Sequence, residues 1–193
     1  MKNLRLTHLL SICFILGLLI ISSCKKDDPA PLGAQVNAKF LAGEAGKSKS
    51  WKMREFTYKV GSAAVQTASF NGCFTDNVYS FTNNAAQDYA ASEGTSKCDT
   101  ADPDAIESGT WAFTLDGLTL NIEVDNSQTP NGLFASAIYY YGDANGNLTD
   151  AGNGGIVPYP AFVKKLDDNN MILEFNITQG TSTIVFTLTF TPA

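Results

Sequence analysis

Met171-Ile172-Leu173-Glu174-Phe175-Asn176-Ile177-Thr178 and, after a short link, Ile184-Val185-Phe186-Thr187-Leu188-Thr189-Phe190-Thr191 decide the fold class. In the first segment Met171, Leu173, Phe175 and Ile177 fall on one side, opposite Glu174, Asn176 and Thr178. In the second, Ile184, Phe186, Leu188 and Phe190 oppose Thr187, Thr189 and Thr191. Successive side chains alternate across a strand, so a period of two predicts strands with one buried and one wet face. Upstream, Gly117 to Asp125 repeats the pattern, with Leu118, Leu120, Ile122 and Val124 on the apolar side. Further strands are predicted over Trp51–Val60, Val78–Thr82, Asp88–Ser92, Gly109–Leu115 and Ala161–Asp167. Asp116-Gly117 and Asp167-Asp168-Asn169-Asn170 supply tight turns, so neighbouring strands should form antiparallel hairpins. One short helix is expected over Ala34–Ala42. About eight strands in meander order make the chain all-β, a barrel or a sandwich.

The chain has 193 residues and is 44% hydrophobic and 17% charged, enough for a single core. Its one histidine, His8, lies in an N-terminal apolar run. If that run is removed, Ser-His-Asp and Cys-His catalysis and histidine-ligated zinc are excluded.

Residues 1–23 read as an export signal: Lys2 and Arg5, an apolar run from Leu9 to Ile21, then Ser22-Ser23. The run is too short to span a bilayer, which takes about 20 residues. Ile21-Ser22-Ser23-Cys24 resembles the lipobox of bacterial lipoproteins, which implies cleavage before Cys24 and acylation of that cysteine. Several acyl chains hold a protein firmly at a bilayer, because each buried methylene contributes about 0.8 kcal/mol. Lys26-Asp27-Asp28 resembles the tag that carries some Gram-negative lipoproteins to the outer face of the outer membrane. The competing reading is a solvated tether. Residues 24–38 are expected to act as that tether, with the barrel domain over 39–193 and an inserted segment at about 126–159.

Loss of residues 1–23 removes Lys2 and Arg5 and no acid, taking the net charge from −6 to −8. Between Gly61 and Val163 the only basic residue is Lys97. Such a body repels nucleic acid, which is excluded as a partner. Basic residues instead gather between Lys39 and Lys59, beside the tether.

With Cys13 in the signal and Cys24 in the anchor, Cys73 and Cys98 remain. In an exported protein this pair is expected to form a disulfide of structural rather than redox purpose, since Cys-x-x-Cys spacing is missing.

Gly46-Lys47-Ser48-Lys49-Ser50-Trp51-Lys52-Met53, Cys73 ahead of Asp76, Tyr79 and Phe81, Gly94, Lys97-Cys98-Asp99 and Gly109-Thr110-Trp111-Ala112-Phe113 together resemble the lipocalin-like lipoproteins of Gram-negative bacteria. The resemblance spans about Phe40 to Val124. It implies an up-and-down antiparallel β-barrel with a calyx, tethered through its N-terminal cysteine.

Trp51 and Trp111 either stack a ligand or plug the barrel and pack its core. Tyr139-Tyr140-Tyr141 must point to both faces of a strand, so at least one ring is offered to solvent, a glycan or a protein. Asp143, Asn145 and Asn147 alternate as calcium ligands do, but no bidentate acid follows at the right spacing, and a surface hairpin is the expectation. Asp99, Asp102, Asp104 and Glu107 read as a solvated acidic loop. Paired carboxylates hydrolyse glycosides only when held about 5 to 10 Å apart in a cleft, whereas the acids here fall in turns and on polar faces. The chain is therefore expected to be no enzyme, with no cofactor and no metal. Its expected partners are the bilayer, through acylated Cys24, and a small apolar or amphipathic ligand. The alternative is a surface module gripping glycan or protein through Tyr139–Tyr141. Phe113, Phe175, Phe186 and Phe190 pull the interior toward filling, while Ala112 and the Ala85-Ala86 and Ala90-Ala91 pairs leave room.

Overall fold

A computed structural model of the protein describes residues 30–68, 75–97, 100–101, 103–127, 133–134, 140–142, 148–150, 160–179 and 181–193. Cys24, Cys73, Cys98 and Tyr139, and the 143–147 loop, lie outside the described residues. A compact unit runs from Pro31 to Ala193. It contains a helix α1 (Gly33–Ala42) and strands β1 (Ser48–Val60), β2 (Gln66–Thr67), β3 (Val78–Thr82), β4 (Asp88–Ser92), β5 (Ala105–Phe113), β6 (Thr119–Ser127), β7 (Tyr140–Gly142), β8 (Leu148–Asp150), β9 (Ala161–Leu166), β10 (Met171–Gln179) and β11 (Ser182–Pro192).

Among the described residues, eight strands form one sheet in the order β1-β3-β4-β5-β6-β9-β10-β11, every neighbouring pair antiparallel. The sheet closes because β11 returns to β1, aligning Trp51 with Pro192 and Val60 with Ile184. Closure removes both free edges of the sheet. The little strand β2 adds to the second half of β1, and among the described residues β7 and β8 pair with each other. Tyr140 and Tyr141 belong to that separate hairpin.

Period-two patterning places the core inside the barrel. Met171, Leu173 and Phe175 of β10 and Ile184, Phe186, Leu188 and Phe190 of β11 are buried, while their polar alternates face out. In β1 the alternation is broken on purpose. A bulge between Met53 and Glu55 leaves Arg54 unpaired and exposed, so Trp51 and Met53 before it and Phe56 and Tyr58 after it all point inward.

The helix α1 closes one end. Leu41 and Ala42 are fully buried against the barrel. Its terminal groups are satisfied by the strands and their turns. Ala34 N–H donates to the Leu115 carbonyl at 3.2 Å, Asn37 Nδ2 to Gly117 O at 2.8 Å, and Trp51 Nε1 to Leu41 O at 2.8 Å. Gly117 makes this docking possible. Its φ of +77° suits the β5–β6 turn, and a Cβ there would stand 2.7 Å from the Gly33 carbonyl carbon.

The helix expected over Ala34–Ala42 is present as Gly33–Ala42. Two expectations change. Leu118 is 62% exposed rather than inward, because it sits in the Asp116-capped turn ahead of β6. Ala90 and Ala112 lie on the outer face of their strands, so of the small residues expected to leave room inside only Ala91 is buried there.

Candidate ligand site in the barrel

Both tryptophans occupy the end closed by α1. Trp51 is fully buried, with its indole N–H given to α1 and the Lys49 ammonium 4.3 Å from its ring centroid. Burial lowers the Lys49 pKa, against the opposing pull of Asp168 and Asp167, and its Nζ donates to the carbonyls of Phe40 at 2.9 Å and Asp168 at 3.0 Å. Trp111 is 2% exposed, donates Nε1–H to Thr82 O at 3.2 Å, and stands edge-on to Phe81 and Phe113. These residues fill the barrel.

Toward the other end, β3, β4, β5 and β10 bring together Tyr79, Tyr89, Glu107 and Phe175, all within 2% of full burial. Glu107 is the residue that sequence reasoning placed in a solvated loop. It is buried because strand β5 begins at Ala105 rather than Gly109, and because the register slips between Ala91 and Ser92, leaving Ile106 as an extra residue. The signal was available: Glu107, Gly109, Trp111 and Phe113 share one parity, so extending the strand backwards puts the carboxylate on the tryptophan's face. Asp104 does lie at the surface, held by Lys97 at 2.6 Å.

One Glu107 oxygen, Oε1, accepts two hydrogen bonds, from Tyr89 Oη–H at 2.5 Å and from the Phe134 backbone N–H at 3.1 Å. Leu133 and Phe134 come from the inserted segment and are each 4% exposed. The Phe134 ring sits 5.4 Å from Tyr89 and 6.1 Å from Tyr79, both edge-on, and 6.2 Å from Phe175. Burial, and next the Glu107 carboxyl, push both tyrosine phenols well above their ordinary range, so both remain neutral at physiological pH, Tyr89 donating to Glu107. The arrangement is an aromatic box around a buried carboxyl acceptor. It can hold an apolar body and orient it through a single donor.

At the rim of this end, two residues of the sequence resemblance meet. The Asp76 carboxylate accepts from Ser96 N–H at 2.9 Å and from the Thr95 hydroxyl at 3.0 Å. Burial raises its pKa, but those bonds outweigh it and hold the group below its ordinary value. Gly94 is required beside it, since a Cβ would lie 2.2 Å from Asp76 Cγ. Outside the barrel, a concavity of about 960 Å³, open to solvent, runs along α1 past Gln35, Lys39, Gln87 and Asp168. No buried polar group points into it among the described residues.

The barrel is similar to part of two solved structures. A transferrin binding protein B mutant from Haemophilus parasuis Hp5 is 7% identical, with a TM-score of 0.35, over 76% of this chain and 26% of that one. Isotype 1 transferrin binding protein B from serogroup B Neisseria meningitidis is 10% identical, with a TM-score of 0.35, over 84% of this chain and 27% of that one. The chain thus spans about a quarter of their length. No curated protein matches it. Residues 48–173, from the first residue of β1 to the third of β10, match the model of the lipocalin-like domain, and with the closed eight-stranded barrel this shows that the chain belongs to the lipocalin-like domain family.

Proposed function

We propose that the protein is a membrane-tethered lipoprotein of the cell envelope whose barrel binds a small apolar or amphipathic molecule without catalysis. The observation that carries the binding role is the aromatic box around Glu107, a buried acceptor set among the rings of Tyr79, Tyr89 and Phe134. The rings supply apolar contact and the carboxylate supplies orientation. Titration of the mature chain with an uncharged, environment-sensitive fluorescent lipid probe, followed by competition with a fatty alcohol, should give saturable binding. Folded monomer that never saturates would shift the reading to a surface module acting through Tyr139, Tyr140 and Tyr141.

The tether rests on the lipobox-like Ile21-Ser22-Ser23-Cys24. Cys24→Ala should release the protein from the membrane fraction. A variant that stays with membranes and keeps residues 1–23 overturns the anchor. Protease applied to intact cells tests Lys26-Asp27-Asp28, because only a protein on the outer face of the outer membrane would be cut.

A further inference from the structure

Of the seven large apolar side chains that stand exposed among the described residues, five gather at one corner of the barrel. Leu32 and Val36 lie one turn apart at the start of α1, Leu115 and Leu118 flank the tip of the β5–β6 turn, and Phe162 is the second residue of β9. The backbone ties these three segments together. Ala34 N–H donates to Leu115 O at 3.2 Å, Asn37 Nδ2 to Gly117 O at 2.8 Å, and Val163 N–H to Leu118 O at 2.9 Å. Leu115 and Leu118, 75% and 62% exposed, are the most open of the five. We propose that this corner is a membrane-docking surface, whose apolar side chains enter the headgroup layer of the bilayer that holds Cys24. The inference rests on the proposed tether and adds to it an orientation for the barrel.

Covalent reach selects the occupant. Leu32 follows Cys24 by eight residues, which extend to at most about 29 Å. An acylated Cys24 therefore keeps the patch close to head groups, and docking becomes an intramolecular event at high effective concentration. A protein partner is a poorer fit, because a stable interface covers about 800 Å² on each side with roughly 20 to 30 residues, and five side chains make a far smaller face. Charge decides how the corner docks. Asp116 sits between the two leucines, its pKa lowered by bonds from the Thr114 hydroxyl and the Leu118 N–H, so it stays ionised and confines insertion to the headgroup layer. The lysines of α1 and β9 are paired within the protein: Lys39 with Glu44 at 3.2 Å, Lys164 with Glu174 at 3.7 Å and Lys165 with Asp167 at 3.3 Å. No excess of cations seeks anionic lipid here, and burial of apolar surface drives the contact.

The test takes the acylated chain from its own membrane and reconstitutes it in phosphatidylcholine vesicles that carry a photoactivatable diazirine phosphatidylcholine. After photolysis, lipid adducts should map to Leu32, Val36, Leu115, Leu118 and Phe162 at least about fivefold above those at Val60 and Val65, the two exposed apolar residues elsewhere. That readout needs no variant. Leu115→Ser combined with Leu118→Ser changes two exposed positions, so Tm should hold while adducts at Leu32 and Phe162 fall about fivefold, with less apolar area to insert. Exchanging part of the phosphatidylcholine for anionic phosphatidylglycerol should alter the yield by less than about twofold. Adducts spread evenly over the barrel, a folded double variant with undiminished yield, or a yield that requires phosphatidylglycerol each overturn the proposal. Protein–protein adducts joining these same residues overturn it in favour of a second copy of the chain. An acylated, membrane-held chain without the adduct pattern overturns this inference alone. A chain recovered without acyl groups and apart from membranes overturns the tether and this inference with it.

Discussion

Trp51→Phe tests how the helical end of the barrel is held. The indole N–H is bonded at 2.8 Å to the carbonyl of Leu41, and both residues are fully buried. Phenylalanine leaves that carbonyl without its donor, where water cannot replace it, at a cost of about 1 to 3 kcal/mol. The smaller ring also leaves a gap of about three heavy atoms, worth roughly 1 to 2 kcal/mol more. The sum is about 3 kcal/mol, or a fall in Tm of roughly 6 to 12 °C for a domain of this size. Urea unfolding followed by circular dichroism should show a lower midpoint at an unchanged slope. Hydrogen exchange should speed up over Gly33–Ala42 before it changes in the strands, because Trp51 ties the helix to the sheet. Trp111→Phe is the control, since its bond to Thr82 O is longer, at 3.2 Å, and anchors no helix. A Trp51→Phe protein within about 0.5 kcal/mol of the parent, or one whose helix exchanges no faster, would refute this account of the docking.

Gly117→Ala combines a left-handed φ with a Cβ aimed at the Gly33 backbone, so it should destabilise by at least about 1 to 2 kcal/mol and expose α1 to proteolysis; unchanged proteolysis counts against it. Asp167 accepts from the N–H of Asn169, then from the Asn170 side chain and N–H and from Lys165, which together hold its carboxyl at about 2 against an ordinary 3.8. A depressed folded pKa stabilises above the unfolded value, so this contribution should be complete above pH 4 and vanish as pH falls through about 2. Asp167→Asn should flatten that part of the stability profile, and an Asp167 carboxyl titrating in the ordinary range by NMR would contradict it. Mass mapping of the non-reduced mature domain should find Cys73 linked to Cys98, with loss of the bond lowering Tm without abolishing the fold; two alkylatable thiols would count against the pairing.

The strands were legible wherever burial is one-sided, as in Met171–Phe175 and Ile184–Phe190, because a period of two survives any tertiary context that keeps one face wet. What escaped was local slippage. Arg54 in β1 and Ile106 beside β5 are extra residues, and each changes which side chains reach the interior. No alternation template registers an insertion of one. That is why Glu107 was placed among solvated acids, although its parity with Trp111 pointed inward. For the tryptophans, alternation predicted only that both rings point inward, and whether they meet a ligand or the core could not be read from it, because the two readings share one face of the strand. Nor was the occupant of the box legible. Leu133-Phe134 sits among Gly, Asn, Gln and Pro, a composition that predicts a surface loop, and only contact between distant segments reveals its ring between Tyr79 and Tyr89.

The pairing of β1 with β11 also has a kinetic side. Trp51 is aligned with Pro192, so the seam that turns the sheet into a barrel joins the first strand to the last. Most other neighbouring pairs join strands that follow one another along the chain, and the β6–β9 pair spans the inserted segment between Ser127 and Ala161, still far closer in sequence than β1 and β11. The seam cannot form until the whole chain is present. Folding should therefore be slow for its size, with a high-contact-order step at the end. A chain cut before Ser182 keeps seven strands but leaves β1 with an open hydrogen-bonding edge beside exposed Phe56 and Tyr58, a template for aggregation rather than a smaller barrel.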